Sequence, residues 1–269
     1  MTATMLRSRD GVQIAAETLG DGPITFVVAH GLTGHRQKTG VRLITGWLAR
    51  HGRVVYFDQR GHGESGGTCT LGFREPLDLD AAVQWARTLS DAPVVTVGFS
   101  LGASVAIRHA ALTTAPDAGT ALDRDIVVEH APDATVLVSG VAQWFFRGTK
   151  IMDRLFKVSA TPWGRLAMRG QGVRISVRDW AGPDADVERN PLSPTACAAV
   201  IRHPLLIVHG THDHYFPEDH AERVFAASSG NTRAELWVEQ GMGHAERATS
   251  QELVDRIAGW AVGALHVGQ

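Results

Sequence analysis

Short, continuous apolar runs recur along the chain, and between them apolar residues fall every three or four positions. The runs lie at residues 24–29, 54–57, 94–97, 135–138 and 205–208, and they are rich in valine, isoleucine and leucine. Strands that are apolar on both sides suit a sheet covered on both faces, which implies parallel strands joined by helical crossovers. In the stretch 76–90, Leu79, Val83 and Ala86 share one helical face, and Pro76 suits a first helical position. Residues 101–112 form an alanine-rich helix, and a last helix carries Leu253, Ile257, Trp260 and Ala264 on its apolar side. Its start reads as a capping box, Thr249-Ser250-Gln251-Glu252, in which Thr249 and Glu252 satisfy each other's free amides. At the other end, Asp10-Gly11 between two alternating segments predicts a hairpin closed by a two-residue turn. The alternation of β and α segments predicts an α/β fold, a mostly parallel central sheet with helices on both faces.

One interval breaks that alternation. Residues 143–199 contain several Trp, Gly and Pro and no buried-strand run. A structureless loop of that length is uncommon, so the interval reads as an inserted, mostly helical cap. The core domain is then 1–142 together with 200–269.

Composition narrows the function classes. The chain has 269 residues, 44% of them hydrophobic, and a net charge of −2. Such a chain can bury a large core, and it carries no basic surplus to hold nucleic acid. Two cysteines, Cys69 and Cys197, cannot build a disulfide framework. Neither a secretory leader nor an apolar run of about 18 residues is present, so a cytoplasmic protein acting on a small molecule is expected. The sequence sets no oligomeric state. Charge is uneven, however: residues 144–178 hold eight Lys or Arg against Asp153 alone, a local charge of +7. Trp144, Phe145, Phe146, Ile151, Leu155, Phe156 and Trp163 are interleaved with them. That pattern suits either a lid that draws in anionic substrates or interfaces, or a solvated basic face over a packed apolar one.

Candidate chemistry begins at Gly98-Phe99-Ser100-Leu101-Gly102, which follows a predicted buried strand and opens a predicted helix. A turn that sharp holds its serine in a strained backbone conformation and lifts the hydroxyl clear of the sheet. A serine hydroxyl needs a base, and the base needs an acid to orient it. Following the chain order serine, acid, histidine, His244 in Gly241-Met242-Gly243-His244 is the candidate base. Asp213, immediately past the strand at 205–208, is the candidate acid, because ligands and reactive groups gather at the C-terminal ends of parallel strands. The loop after the preceding parallel strand, Ser139-Gly140-Val141-Ala142-Gln143, offers no carboxylate. Acyl transfer also needs donors for a developing oxyanion, and the candidates are the backbone N–H groups of Leu101 and Leu32. His30, beside Leu32, reads as a structural support for that loop.

With these motifs in order the chain resembles the α/β-hydrolase fold superfamily along nearly its whole length, in its serine hydrolase, esterase- and lipase-like branch. The stretch Asp58-Gln59-Arg60-Gly61-His62-Gly63-Glu64-Ser65 looks like that family's tight structural loop after its fourth strand. The resemblance implies Ser100 as nucleophile, Asp213 as acid and His244 as base, with no metal or organic cofactor. It also implies hydrolysis of a carboxylic ester of a small or medium hydrophobic substrate. A thioester, an amide, a carbon–carbon bond beside a ketone, a biosynthetic transfer or cyclisation, and a non-catalytic small-molecule binder remain as alternatives, since fold alone does not fix function.

Overall fold

The structure, a computed structural model, describes residues 2–121, 123–176 and 190–265. Its strands are β1 (Thr2–Arg7), β2 (Gln13–Leu19), β3 (Thr25–Ala29), β4 (Arg53–Phe57), β5 (Val94–Phe99), β6 (Ala134–Val138), β7 (Leu205–Gly210) and β8 (Ala234–Glu239). They form one eight-stranded sheet in the order β1-β2-β4-β3-β5-β6-β7-β8. The β1–β2 and β2–β4 pairs are antiparallel, and every pair from β4 across to β8 is parallel. This is the mostly parallel sheet that the apolar runs imply, and each predicted run falls inside a strand or within one residue of it.

Alternation along each strand feeds two apolar layers. Val27, Leu137, Leu205 and Ile207 face one layer, shared with the helices α2 (Pro76–Leu89), α3 (Leu101–Thr114), α6 (Pro194–Val200) and α7 (Asp219–Ala227). Phe26, Val28, Val136, Val138, Leu206 and Val208 face the other, shared with α1 (Thr39–Leu48) and α8 (Gln251–Ala264). Strands β3, β5, β6 and β7 are buried throughout, whereas the edge strands β1 and β8 stay partly open to solvent. Two further helices, α4 (Lys150–Ala160) and α5 (Pro162–Gly170), lie in the interval between β6 and β7. No helix among the described residues is long and apolar enough to cross a membrane.

Local structure departs from the sequence expectation in three places. The first hairpin closes over three residues, with Ser8 N–H donating to Val12 O (2.9 Å) and Gly11 N–H to Ser8 O (2.8 Å). Gly11 takes a left-handed φ of +87°, which only glycine adopts without steric cost. At α8 the N-cap is Ser250, whose Oγ accepts from Leu253 N–H at 3.2 Å. Thr249 is buried and spends its hydroxyl on Ala245 O at 3.0 Å, so the cap moves one residue along. Thirdly, α6 packs against α3 and α7, with Cys197 and Ala198 in the same apolar layer as the sheet.

The chain leaving α5 returns to the core through backbone pairing. Arg174 N–H donates to Gly61 O, Cys69 N–H to Arg174 O and Ser176 N–H to Cys69 O, forming short bridges at Val173 and Ile175. Arg178, the last charge of the basic run, lies outside the described residues.

Candidate active site

The β5–α3 connection is as tight as its sequence requires. Ser100 sits at φ +51° and ψ −111°, and α3 begins at the next residue. Glycine is needed on both sides: a Cβ at Gly98 would lie 2.2 Å from Gly102 O, and one at Gly102 would lie 2.0 Å from Ala29 O. Helix α3 therefore starts pressed against the ends of β3 and β5. The Ser100 side chain is half-buried at the C-terminal edge of the sheet, and its N–H donates to Val138 O at 2.9 Å. A non-glycine residue at such a φ costs on the order of 1–3 kcal/mol, which the surrounding close contacts offset.

Two loops from neighbouring strands meet above the serine. His244, after β8, has Nε2 2.8 Å from Ser100 Oγ, and its Nδ1 lies 2.7 Å from Asp213 Oδ2, after β7. With Nδ1–H held by the carboxylate, Nε2 is the free lone pair that faces the hydroxyl proton. The second carboxylate oxygen, Asp213 Oδ1, accepts the N–H groups of Tyr215 (2.8 Å) and Phe216 (3.1 Å). Burial pushes the Asp213 pKa up, but the His244 contact and these two N–H donors outweigh it and hold the carboxyl below its usual range. The acid is thus ionised wherever histidines titrate.

The two loops are fastened to each other. His212 N–H donates to Met242 O (2.9 Å) and Gly241 N–H to Thr211 Oγ1 (2.9 Å). Ser139, held at φ +55° past the end of β6, accepts Ala245 N–H on its Oγ at 3.0 Å. Ala245 is itself at φ +53°. Strained residues thus follow β5 and β6 and flank His244, in the cluster where strain is expected to have a role. Tyr215 stacks on the His244 ring at 4.2 Å between centroids and 22° between planes, and Phe216 meets it edge-on at 5.5 Å.

The loop after β3 completes the surroundings of Ser100. Gly31 approaches so closely that an added Cβ would lie 3.3 Å from Ser100 Cβ. His30 is buried: its Nε2 accepts Gln59 N–H (3.1 Å), its Nδ1 contacts Gly31 O (2.8 Å), and its carbonyl accepts from the Gln59 side chain (2.6 Å). Burial pulls the His30 pKa well below its ordinary value, so the ring is neutral and serves as a fixed bracket. The stretch 58–65 supports the same loop, because His62 Nε2 bonds Leu32 O at 2.7 Å. Gly31 N–H is taken by Glu246 Oε1 at 2.6 Å. Among the described residues no acceptor meets the N–H of Leu32 or of Leu101, the first residue of α3.

The five residues singled out in the sequence, Ser100, Asp213, His244, Leu32 and Leu101, therefore converge on one end of the sheet. Glu246, Ser139 and Tyr215 were not singled out. Glu246 sits in the same segment as His244, two residues on, which is the only sequence signal that pointed to it. The side chains of Leu32 and Leu101 continue outward into an apolar cluster with Leu71, Cys69, Val158, Met168, Val173 and Ile175. That cluster brings α4 and α5 over the serine end of the sheet.

Comparison with known proteins fits this fold. A family model described as the alpha/beta hydrolase family matches residues 26–256. The chain is 24% identical over 253 residues to an uncharacterized protein of Bacillus subtilis, YqkD, covering 88% of this chain and 73% of that one. It is similar in structure to the esterase Pf2001 of Pyrococcus furiosus, with a TM-score of 0.70 at 21% identity over 96% of this chain and 90% of that one. A thermophilic esterase from Thermogutta terrifontis superposes with a TM-score of 0.65 at 17% identity, over 98% of this chain and 99% of the other.

Proposed function

The chain belongs to the alpha/beta hydrolase family, and from that premise we propose that it is a serine hydrolase cleaving carboxylic esters through an acyl-serine intermediate. The observation that carries this reading is the unbroken line of hydrogen bonds from Asp213 through His244 to Ser100. In the proposed reaction His244 Nε2 takes the Ser100 proton as Oγ attacks the ester carbonyl carbon. The carbonyl π electrons move onto oxygen, and the N–H groups of Leu101 and Leu32 stabilise that charge. Collapse of the tetrahedral species expels the alcohol, protonated by His244. Water then repeats the sequence on the acyl-serine: His244 deprotonates it, the acid leaves, and Ser100 regains its proton. Asp213 keeps the imidazole in the Nδ1–H form and stabilises the imidazolium in between. We take α4 and α5, within the interval 143–199, as the cap that walls the substrate pocket.

The test is labelling with an active-site-directed phosphonate alongside turnover of p-nitrophenyl esters of graded chain length. Ser100→Ala should abolish labelling and lower kcat by several orders of magnitude while leaving the fold intact. Turnover that survives the substitution in a pure preparation would overturn the covalent mechanism.

A further inference from the structure

We propose that the groove beside α5 is a subsite for an anionic oxyacid group, a carboxylate or phosphate, carried by the ester substrate; this rests on the hydrolase reading above. A cavity of about 430 Å³ is lined by Thr68, Pro162, Trp163, Leu166 and Ile175 together with the guanidinium-bearing Arg165, Arg169 and Arg174. Three cations around one cavity repel one another. Among the described residues none of the three has a carboxylate within salt-bridge distance, unlike Arg36, Arg60 and Arg108 elsewhere in the chain.

Arg165 and Arg174 are held in place by backbone carbonyls. Arg165 Nη1 donates to Ser159 O (3.1 Å) and Ala160 O (3.0 Å), and Arg174 donates to Gly67 O (3.2 Å) and Ser65 O. Carbonyl oxygens orient a guanidinium without neutralising it, so the charge is fixed in position and kept. Arg169 is exposed, and its side chain makes no such bond among the described residues. A planar guanidinium pairs bidentately with carboxylate or phosphate, which makes this cluster suited to an oxyacid.

The groove adjoins the apolar packing beside Ser100 at Ile175. That side chain lines the cavity and also belongs to the apolar cluster against which Leu101 and Leu32 pack. A ligand with an apolar middle and an anionic end fits that sequence of surfaces, the ester at Ser100 and the anion among the arginines. A monoester of a dicarboxylic acid has that form, as does an ester whose alcohol is phosphorylated. Trp163 and Leu166, both largely exposed, supply flat apolar area along the same groove.

The experiment compares two p-nitrophenyl esters of equal acyl length, the neutral hexanoate and the anionic monoester of adipic acid. With wild-type enzyme kcat/KM for the adipate monoester should fall at least about 3-fold as salt rises from roughly 20 mM to roughly 500 mM, while the hexanoate value holds level. Arg169→Gln should raise KM for the adipate monoester about 10-fold and leave the hexanoate unchanged, since the exposed Arg169 side chain makes no hydrogen bond or ion pair among the described residues. Equal salt responses, or equal losses with both esters, would overturn the proposal. Calorimetric binding to the Ser100→Ala protein keeps the test independent of turnover. Adipate or inorganic phosphate should bind, weakened by Arg169→Glu, and which of them binds distinguishes the two sources of the anion. Neither binding, or association only with phosphatidylglycerol vesicles, would overturn the subsite even if esters are hydrolysed. Adipate binding without any ester turnover would uphold the subsite and overturn the hydrolase reading.

Discussion

Asp213 carries three hydrogen bonds on two oxygens, and each has a separate consequence. Oδ1 ties the carboxylate to its own loop through Tyr215 and Phe216, while Oδ2 faces His244. Asp213→Asn must present an N–H₂ to one side or the other, and either choice removes an acceptor that a donor needs. If the amide turns its NH₂ toward His244, the imidazole is driven into the wrong tautomer. We expect kcat to drop by about three to four orders of magnitude for Asp213→Asn. Asp219→Asn, an exposed carboxylate 4.0 Å from Arg223, should stay within about 2-fold of wild type. Comparable losses at both positions would displace the acid assignment. Glu246 makes a different kind of claim. Its carboxyl, pushed upward in pKa by burial, anchors the Gly31 amide and so fixes the peptide that leads to Leu32. Glu246→Ala should lower kcat about 10- to 100-fold with KM little changed, because oxyanion stabilisation acts in the transition state. Glu246→Gln keeps an acceptor and should restore most of the rate; a Gln variant as poor as Ala would remove the positioning role. The contact of Asp213 with His244 was legible because a carboxylate just past a buried strand has few rivals. Glu246 was not, because its partner lies 215 residues away in the chain and no periodicity links them.

The β5–α3 elbow shows why some elements announce themselves in the sequence and others do not. Two glycines spaced four apart around Ser100 have a cause that is entirely local, the contact of three backbone segments at 2.0–2.2 Å from their missing Cβ atoms. Adding a methyl there forces backbone apart, so Gly102→Ala should destabilise by more than about 2 kcal/mol. Gly46, within α1 and with nothing within 4 Å of its absent Cβ, is the control: Gly46→Ala should stabilise by about 0.5–1 kcal/mol. Urea unfolding of both variants reads the contrast, and equal effects would mean the elbow is looser than its geometry indicates. Capping was harder to read, since Thr249 and Ser250 are both good caps and only the buried hydroxyl contact of Thr249 decides between them. The interval 143–199 posed the same difficulty on a larger scale. Its length and aromatic content predict an insertion. That α6 joins the layer of α3 and α7 depends on Cys197 and Ala198, small residues that carry no outward sign of burial. Thr149, by contrast, is both the N-cap of α4 and a donor to Tyr215 O at 3.0 Å, which links the helices over the site to the loop carrying Asp213.

For the molecule as a whole, the buried histidines tie stability to pH. The sheet itself was readable from its apolar runs, because a strand covered on both faces leaves no room for polar alternation. The fate of the thirteen histidines was not, since burial of a neutral imidazole depends on tertiary partners. His30, His203 and His220 are each held neutral, chiefly by burial, with pKa values below the ordinary 6.5; for His203 the value is lowered to about 4. His30 accepts Gln59 N–H on Nε2 and His220 accepts Ala142 N–H on Nδ1, bonds that a protonated ring could not make. An imidazole whose folded pKa lies below its unfolded one binds its proton more readily in the unfolded chain. Its contribution is therefore complete above pH 6.5 and is lost as the pH falls from there toward the folded value. The urea midpoint should thus be level between pH 7 and 8 and decline from about pH 6.5 to about 4.5, each histidine adding a slope of up to roughly 1.4 kcal/mol per pH unit. Carboxylates held down in pKa, such as Asp80 with its two histidine neighbours, lose their contribution only below the ordinary carboxylate range, so the two windows separate. His203→Gln removes one titrating group and should flatten the decline measurably, because its slope comes from the ring alone. A midpoint unchanged between pH 7 and 5 in the wild-type protein would show that these histidines are protonated in the folded state.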